Sequence, residues 1–321
     1  MPAATETPPQ TLAKVGAMYY LQGKTQQQIA DRIGVSRPTV SRMIKEARDR
    51  GIVQITVAHV DGLAADLESG LEARFGLREA VVVDRDGDGS LRAALGTAAA
   101  GLLGRLVEPG AVVGLTWGTT LREMVKAVVP RRTDGVTVVQ TLGGVGPPLA
   151  EAHAADLPRR LAAALGADLR LLQAPGVVAS AEARDVLAAD PQIRAALAAL
   201  GTMTVAFVGI GGLATNPVLG DGELAPEVDL PAGFEADLVR RGAVGDVALR
   251  FFDSDGAPVE TDLDRRLVGV DLDTLRAVER VVGVAGGPEK VDAIRAALRG
   301  RIVDVLVTDD ATAQALLAGP A

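Results

Sequence analysis

Amide, hydroxyl and cationic side chains recur between residues 26 and 45 in a pattern suited to contacting nucleic acid. Arginine can pair bidentately with guanine, and serine or threonine can reach a base edge or a phosphate. On a predicted helix that Ser36 caps, the exposed candidates are Arg37, Thr39, Ser41, Arg42 and Lys45. Gln26 begins the preceding helix, where its side chain or backbone can anchor a phosphate. These residue types predict a DNA-binding surface.

Two short helices and a tight turn must position these side chains. The motif is TQQQIADRIGVSRPTVSRMIKEARDRG, in which Ala30 falls where the helices touch and Gly34 falls at the turn. Pro38 lies in the first turn of the second helix, where a missing N–H costs nothing. This spacing is that of a helix-turn-helix, whose second helix enters the major groove. The alternative is an ordinary α-hairpin whose charges face solvent.

The charge distribution favours the DNA interpretation. Residues 10–57 carry eight basic and three acidic side chains, a net charge of +5, although the whole chain has a net charge of −8. A basic head on an acidic body is expected if only the head meets phosphate. The segment IVQITV (52–57) predicts a short strand and with it a small wing that touches the DNA backbone.

A second set of candidate residues lies in glycine-containing loops that follow predicted strands. Gly118 opens a turn before Thr119 and Thr120 begin a helix, whose free N–H groups favour an anion. Gly286 and Gly287 precede another helix, and Lys290 lies in its first turn, where a lysine is unfavourable unless an anion is present. The alternative for each loop is an ordinary tight turn.

Three further features bear on this second site. The loop VGIGGL supplies Gly209, Gly211 and Gly212 after another predicted strand. Asp246 and Asp253 flank VALRFF and can accept hydrogen bonds from sugar hydroxyls, although exposed turn carboxylates are equally common. Trp117, the only tryptophan, is expected to fill the core rather than to stack on a sugar.

A mainly parallel sheet must bring these loops together. Strand-like runs alternate with Ala/Leu-rich amphipathic stretches, which predicts an α/β domain with helices on both faces. The predicted strands cover 80–84, 112–117, 136–142, 169–174, 204–210, 244–252, 281–285 and 303–308, and the predicted helices 91–107, 119–129, 154–165 and 288–299. Ligands of such sheets bind at the carboxyl ends of the strands.

Composition excludes several kinds of chemistry. Cysteine is absent and the two histidines are His59 and His153, so the sequence predicts no metal, no cofactor and no catalytic residue. The N-terminus lacks the features of a signal peptide, and no apolar run approaches the roughly 20 residues of a membrane helix. A cytoplasmic location is expected.

In these motifs the chain resembles the SorC family of bacterial transcriptional regulators. The resemblance spans roughly residues 12–318 and is carried by YYLQGKTQQQIADRIGVSRPTVSRMIKEARDRGIV, VGLTWGTTL, VVQTLGG, GAVGDVALRFFDSDG and VAGGPEKVDAIRAALRGRIVDVLVTDDATAQALL. It implies a winged-helix-like helix-turn-helix domain joined to a larger Rossmann-like domain that is similar to sugar-phosphate isomerases.

The resemblance also implies a ligand and an assembly. Family members bind phosphosugars, and many form tetramers whose DNA affinity the ligand changes. Carried over to this chain, the phosphate contacts are Gly118, Thr119, Thr120, Gly286, Gly287 and Lys290, with Gly144 in the site and Asp246 or Asp253 near the sugar. Some relatives have a lysine, able to form an imine, where this chain has Leu142. Covalent capture at that position is excluded here.

The predicted organisation is a disordered tail (1–10), a helix-turn-helix domain (11–58), a linker helix (59–78) and an effector-binding domain (79–321). The predicted function is a regulator, a repressor of a carbohydrate operon, that binds operator DNA as a homodimer or homotetramer under control of a phosphorylated sugar. Two alternatives stay open. One is a sugar-phosphate isomerase-like enzyme fused to a DNA-binding head, and the other is a DNA-binding scaffold without a ligand.

Overall fold

The structure is a computed structural model that divides into two compact units, Met1–Asp61 and Gly62–Ala321. It describes residues 7–53, 64–84, 90–145, 148–219 and 228–319, with backbone alone for 148–154. Among these residues, no helix combines the length and the apolar character needed to cross a membrane.

The first unit is helical. Helix α1 (Pro9–Gly16) continues into a π-helical turn (Ala17–Leu21), and α2 (Gln26–Ile33) and α3 (Arg37–Asp49) follow. Gly34 has φ 72° and ends α2, which is the left-handed conformation expected at this turn. One apolar cluster joins the three helices, with a buried set of Val15, Met18, Ile29, Ala30, Val40 and Ile44.

Two details of this unit differ from the sequence prediction. The helix begins at Pro9, inside the predicted tail of residues 1–10, because proline at the start of a helix forfeits no hydrogen bond. Ile52 and Val53 form no strand. The N–H of Val53 instead bonds back to the carbonyl of Ala47 at 3.0 Å. Residues 1–6 and 54–57, and with them the rest of the predicted tail and wing, lie outside the described residues.

The second unit contains a seven-stranded sheet in the order β1-β10-β9-β5-β2-β3-β4, in which every pair of neighbours is parallel. The strands inside the sheet are rich in valine and largely buried on both faces, as expected of a parallel sheet covered by helices, whereas the edge strands β1 and β4 are only partly buried. The strands are β1 (Glu79–Val83), β2 (Val112–Leu115), β3 (Thr137–Gln140), β4 (Asp168–Arg170), β5 (Val205–Gly209), β9 (Arg280–Val284) and β10 (Val305–Asp309).

Helices cover both faces of the sheet and enclose two large apolar clusters. The helices described in this unit are α4 (Ala65–Phe75), α5 (Leu91–Leu106), α6 (Thr119–Ala127), α7 (Pro148–Leu165), α8 (Ala181–Ala189), α9 (Pro191–Leu200), α10 (Phe234–Arg240), α11 (Asp262–Arg266), α12 (Leu272–Arg276), α13 (Val291–Arg299) and α14 (Asp310–Ala318). Helix α4 lies within the region predicted as a linker and packs against β1 and α14. Arg74 of α4 donates to the carbonyl of Leu317 at 2.7 Å.

The segment 244–252, predicted as one strand among those of the sheet, is instead a hairpin. Its strands β7 (Ala243–Val247) and β8 (Arg250–Asp253) are antiparallel and form a separate sheet with β6 (Gly211–Gly212). Ala248 and Leu249 make the turn with φ of 54° and 62°. Two positive φ values suit a tight hairpin turn. Because neither residue is glycine, the sequence carries no turn signal within this apolar run.

Chain order places the topological switch of the main sheet at β2. The chain continues from β2 to β3 and β4 on one side, whereas β5 pairs with β2 on the other. Ligands of open parallel sheets bind outside the carboxyl ends of the strands at such a switch. The loops after β2, β5 and β9 therefore define the edge at which a ligand site is expected.

Candidate functional site

Helix α3 presents its polar residues along one exposed side. Arg37, Ser41, Arg42 and Lys45 are exposed, and Ser36 caps the helix by accepting the Thr39 N–H at 3.4 Å. The Thr39 hydroxyl pairs with that of Ser36 at 2.8 Å. Thr39 is half-buried rather than exposed, and its role as a DNA contact stays a prediction.

Two neighbouring depressions gather the DNA-binding candidates on the first unit. The first, here the Lys24 depression, is lined by Tyr19, Gly23, Lys24, Thr25, Gln26, Gln27 and Arg37. The second, here the Arg42 groove, is lined by Tyr19, Tyr20, Gln26, Pro38, Ser41, Arg42, Ile44, Lys45 and Arg48. Gln26 and Tyr19 line both. The structure thus brings Gln26 next to the exposed residues of α3.

Sequence reasoning missed Tyr19, Lys24 and Arg48 on this surface. Lys24 had a usable signal, because it is a cation directly before the Thr25 cap of α2. Arg48 had one as well, since it lies three residues after Lys45 and so shares its side of α3. Tyr19 carried no signal, because its position depends on the π-helical turn that extends α1.

In the second unit, α6 begins at the carboxyl edge of the sheet, in the loop that follows β2. Gly118 precedes the helix with φ 147°, a conformation that side chains rarely adopt, and no side chain caps the helix. The first-turn N–H groups of Thr119 and Thr120 therefore lack an intrahelical acceptor. Thr119 is exposed and Thr120 is half-buried. This start of a helix can receive an anion.

Lys290 follows β9 in a short 3₁₀ turn (Pro288–Lys290) and is half-buried. Burial lowers the pKa of its ammonium, the nearby carboxylates of Asp246 and Glu289 raise that pKa in part, and Arg92 lowers it further. Among the residues that the structure describes, no side chain forms a hydrogen bond or an ion pair with this ammonium. A half-buried cation that has lost part of its hydration without gaining a partner is unfavourable until an anion binds it.

Asp246 lies in β7 with only 7% of its surface exposed. Its carboxylate accepts the side-chain amide of Asn216 at 2.9 Å and the N–H of Leu249 at 3.0 Å. Burial raises the pKa of Asp246, whereas these two hydrogen bonds and the charge of Lys290 oppose that rise. The Asp246 carboxylate and the Lys290 ammonium therefore lie near each other at the carboxyl edge of the sheet.

Arg92, the second residue of α5, is a further cation at this edge that sequence reasoning missed. A Cβ added to Gly286 would lie 3.2 Å from Leu95, and one added to Gly96 would lie 2.6 Å from the backbone nitrogen of Met124. Helices α5 and α6 therefore lie side by side at their second turns, and Leu95 of α5 lies next to the Gly286 loop. A cation in the first turn of a helix is unfavourable. That signal identified Lys290 and applied equally to Arg92.

Asp253 does not join Asp246. Its carboxylate accepts the N–H groups of Asp255 at 3.0 Å and Ala257 at 2.9 Å, and so closes its own turn. The hairpin register pairs Asp253 with Ala243 and Asp246 with Phe251. Asp246 lies beside the hairpin turn, and Asp253 lies at the opposite end. Of the two predicted sugar contacts, Asp246 alone lies near Lys290.

Two predicted glycine contacts have their N–H groups occupied. Gly144 donates to the carbonyl of Ala174 at 3.0 Å and accepts the N–H of Gly176 at 2.5 Å. Gly287 donates to the Asp309 carboxylate and to the Thr312 hydroxyl, each at 2.9 Å. Neither N–H group is free for a ligand in this structure, and the roles of Gly144 and Gly287 in the site stay predictions. A sequence pattern cannot reveal such pairings, because they depend on distant segments.

Two remaining positions are structural. Trp117 is half-buried against an apolar cluster that contains Leu142, in agreement with a role as core filler. Gly211 approaches the Asp246 carboxylate so closely that an added Cβ would lie 2.1 Å from its Oδ1. Within the described ranges, no three His, Cys, Asp or Glu residues cluster in a way that could hold a metal ion. His59 lies outside the described residues, as does the His153 side chain.

Comparison with known families agrees with this division into two units. Residues 62–318 match the family described as "Putative sugar-binding domain". Residues 22–65 match the family described as "Crp-like helix-turn-helix domain". The two matches correspond to the larger α/β unit and to the helical unit that carries α2 and α3.

Relatives along nearly the whole chain are named as transcriptional regulators. The chain is 32% identical to the Sorbitol operon regulator of Klebsiella pneumoniae over 95% of this chain and 97% of that protein. It is 32% identical to the Deoxyribonucleoside regulator of Bacillus subtilis over 94% and 95% of the two chains. The crystal structure of the full-length Sorbitol Operon Regulator SorC from K. pneumoniae superposes with a TM-score of 0.73, at 31% identity, over 96% of this chain and 99% of that one. The chain therefore belongs to the SorC family of transcriptional regulators, in which a helix-turn-helix is joined to a sugar-binding domain.

Proposed function

We propose that this regulator represses a carbohydrate operon and that a phosphorylated sugar, bound at the carboxyl edge of the parallel sheet, controls its affinity for operator DNA. Membership of the SorC family supports the role in transcriptional regulation. Relatives named for sorbitol and for deoxyribonucleosides support a carbohydrate-related ligand. The phosphate requirement rests on the residues at the edge of the sheet.

The observation that carries the proposal is the unpartnered, half-buried ammonium of Lys290. Arg92 adds a second positive charge close enough to lower the pKa of that ammonium. Two neighbouring cations repel each other, and a dianionic phosphate bound between them would turn this repulsion into attraction. A neutral sugar would leave it in place.

The start of α6 supplies hydrogen-bond donors for the same phosphate. N–H groups of the first helical turn and the positive end of the helix dipole favour an anion. Thr119 and Thr120 can add their hydroxyls, and Gly118 allows the ligand to approach the backbone closely. These donors complement the charges on Lys290 and Arg92.

Asp246 and Asn216 are the groups suited to the sugar hydroxyls. The Asp246 carboxylate holds two hydrogen bonds and can accept more, because an ionised carboxylate offers about four acceptor sites. Its burial near Lys290 would place a hydroxyl acceptor beside the phosphate contacts. The proposed ligand is therefore a polyol or sugar that carries a phosphate at one end.

Control of DNA binding requires a modest coupling between the two units. A coupling free energy of about 1–3 kcal/mol changes affinity by about 5- to 150-fold. We propose a homodimer or homotetramer as the functional form, because helix-turn-helix proteins read half-sites spaced by about 34 Å or a multiple of it. A ligand that alters the separation of two α3 helices would then alter operator affinity.

A panel of phosphorylated sugars and their unphosphorylated parents tests the proposal by thermal shift. A true ligand at 100 times its dissociation constant adds about 2.7 kcal/mol to the free energy of unfolding. We expect stabilisation by members of the phosphorylated set alone. Parallel assays for product formation test the isomerase alternative. Turnover of a sugar phosphate, or stabilisation by the unphosphorylated parents to the same degree, would overturn the proposal.

A further inference from the structure

Asp309 carries a fully buried carboxylate at the ligand edge that the proposed contacts do not use. It is the last residue of β10, it caps helix α14, and none of its surface is exposed. Among the residues that the structure describes, no lysine or arginine forms a salt bridge with it. A buried carboxylate without a counter-cation is costly unless hydrogen bonds satisfy its oxygens. The donors that reach these oxygens therefore indicate what the carboxylate does.

Three donors from two segments converge on the Asp309 carboxylate. Thr312 supplies its N–H, 3.1 Å from Oδ1, and its hydroxyl, 2.6 Å from Oδ2. Gly287 supplies its N–H, 2.9 Å from the same Oδ2. The first two bonds belong to an ordinary helix cap, since Thr312 is the third residue of α14. The third bond does not, because it crosses to the loop that follows β9.

The loop that follows β9 has a backbone suited to this contact. A Cβ on Gly286 would lie 2.3 Å from Oδ2 of Asp309, so a side chain at that position would collide with the carboxylate. Gly287 has φ 106°, a conformation that other residues rarely adopt. The contact with Asp309 thus gives both glycines a physical reason that is independent of a ligand.

The same loop connects the carboxylate to Lys290. The N–H of Lys290 donates to the carbonyl of Gly287 at 3.1 Å, within the 3₁₀ turn. Gly287 therefore donates to Asp309 and accepts from Lys290. The turn also contacts strand β6, where a Cβ on Gly212 would lie 3.1 Å from the carbonyl oxygen of Glu289. Contacts with α14 and with β6 together fix the backbone that carries the Lys290 side chain.

We propose that Asp309 is a positioning residue for the effector site and that, through Gly287, it holds the turn that presents the Lys290 ammonium to the phosphate. In this role Asp309 does not touch the ligand. It acts through one hydrogen-bonded loop, as supporting residues do when they hold a binding group in place. The role rests on the proposed function, because Lys290 is taken there as the phosphate contact.

The number of donors explains why a carboxylate suits this position better than an amide. A carboxylate accepts hydrogen bonds on both oxygens, whereas an asparagine side chain has one accepting oxygen and one donating NH₂ group. In Asp309→Asn, an oxygen kept on the N–H of Thr312 leaves the NH₂ group facing the N–H of Gly287. Asparagine caps helices about as well as aspartate. We therefore expect the loop, rather than the helix, to shift in this variant.

Phosphate titrations of the full-length protein test the positioning role, with inorganic phosphate as the probe. Thermal unfolding across a phosphate series at constant ionic strength gives the dissociation constant, because a ligand stabilises the folded state in proportion to RT ln(1 + [L]/Kd). The variant is Asp309→Asn. The matched control is Asp190→Asn, because Asp190 caps α9 by accepting the N–H groups of Gln192 at 2.8 Å and Ile193 at 3.3 Å. Lys290→Ala identifies the part of the phosphate affinity that belongs to the effector site.

We expect Asp309→Asn to bind phosphate about tenfold more weakly, because a hydrogen bond to a charged group no longer holds the loop. Asp190→Asn should match the wild type. Hydrogen exchange, followed by mass spectrometry of peptides from residues 285–291, should be faster in Asp309→Asn and unchanged in Asp190→Asn. An Asp309→Asn variant with the phosphate affinity of wild type would overturn the positioning role.

A double-mutant cycle with Lys290→Ala distinguishes positioning from a general loss of structure. If Asp309 acts through Lys290, Asp309→Asn should weaken phosphate binding no further in the Lys290→Ala background. Equal losses in both backgrounds would show that Asp309 acts independently of Lys290, which contradicts the role.

The Thr312 hydroxyl provides a second test, which does not depend on whether Asp309→Asn folds. This hydroxyl also accepts the N–H of Gly287, at 2.9 Å. Thr312→Val keeps the shape of the side chain and removes the hydroxyl, so phosphate binding should weaken by about 2- to 10-fold. Thr312→Ser restores the hydroxyl and should recover the affinity. Equal phosphate affinities of the two Thr312 variants would contradict the role.

Lys290→Ala separates failure of the positioning role from failure of the proposed function. If Lys290→Ala loses phosphate affinity and Asp309→Asn does not, the positioning role is wrong and the proposed site stands. If Lys290→Ala binds phosphate as the wild type does, the proposed site is wrong and the positioning role fails with it.

Discussion

Lys290 lies near the buried carboxylate of Asp246, yet that carboxylate takes its hydrogen bonds from Asn216 and from the backbone of Leu249. The two charged groups therefore interact electrostatically, while the N–H donors of the Lys290 ammonium make no hydrogen bond to Asp246. Burial moves both pKa values toward the neutral forms, the carboxyl upward and the ammonium downward. A phosphate at Lys290 would favour the charged ammonium and so couple ligand binding to protonation.

Removal of the Lys290 ammonium should shift the response to the effector to much higher ligand concentrations. In Lys290→Ala we expect phosphosugar affinity to fall by about 1.5–3 kcal/mol, the value of a hydrogen bond to a charged group. Isothermal titration calorimetry measures the loss. Operator affinity without ligand should stay unchanged, and Lys126→Ala, which removes an exposed lysine near the end of α6, should behave as wild type. An unchanged dose response would remove Lys290 from the site.

Effector affinity should depend on pH through the same residue. The protonated ammonium binds phosphate, so affinity is highest below the pKa of Lys290 and falls as the pH rises through it. Because burial lowers this pKa, the fall should begin at a lower pH than an exposed lysine would give. Lys290→Arg keeps its charge throughout this range, since arginine does not deprotonate in proteins, and should lose the dependence. The same pH profile in wild type and Lys290→Arg would exclude Lys290 as its source.

Gly209 at the end of β5 and Gly211 at the start of β6 provide a matched pair of substitutions. A Cβ on Gly211 would lie 2.1 Å from the Asp246 carboxylate, whereas a Cβ on Gly209 meets nothing within 4 Å. Gly211→Ala should therefore displace Asp246, lower the free energy of unfolding by about 1–3 kcal/mol, as overpacking does, and weaken the ligand site. Gly209→Ala should do neither. Urea unfolding and ligand titration of both variants check this, and equal behaviour of the two would contradict the placement of Asp246.

Arg42 should govern sequence preference, since it lies on the exposed side of α3 beyond the cap. We expect Arg42→Ala to lower operator affinity by about 1–3 kcal/mol, the value of one bidentate base contact, with a smaller loss on scrambled DNA. Anisotropy titrations with both duplexes give the ratio. Arg32→Ala, an exposed arginine of α2 that lines neither depression, is the control. A uniform loss on both duplexes would assign Arg42 to phosphate.

Local patterns predicted most of the fold. Alternation of Val-rich runs with amphipathic stretches predicted the parallel strands, and the Gly34 and Ser36 signals predicted the turn and cap of the helix-turn-helix. The hairpin at β7 and β8 escaped prediction, because Ala248 and Leu249 form its turn without glycine. A left-handed turn is normally predicted from a glycine or an asparagine, and the turn at Ala248 and Leu249 contains neither.

The candidate site was predicted only where a local signal existed. Lys290 was found because a cation at the start of a helix is unfavourable, and Arg92 could have been found in the same way. The N–H groups of Gly144 and Gly287 bond to Ala174 and Asp309, which are remote in sequence, so a local pattern could not show that these donors are occupied. Asn216 carried no signal, since its position beside Asp246 depends on how the hairpin packs.

The most direct test is to measure whether a phosphorylated sugar changes the amount of protein bound to operator DNA when its unphosphorylated parent does not. A fluorescent operator, identified by selection from genomic fragments, is held half-saturated with full-length protein, and each phosphorylated sugar is titrated beside its unphosphorylated parent. We predict that a phosphorylated member shifts the anisotropy with a saturable curve, that its parent does not, and that Lys290→Ala removes the shift. An equal shift by sugar and sugar phosphate, or a full shift in Lys290→Ala, would contradict control by an anion at the edge of the sheet.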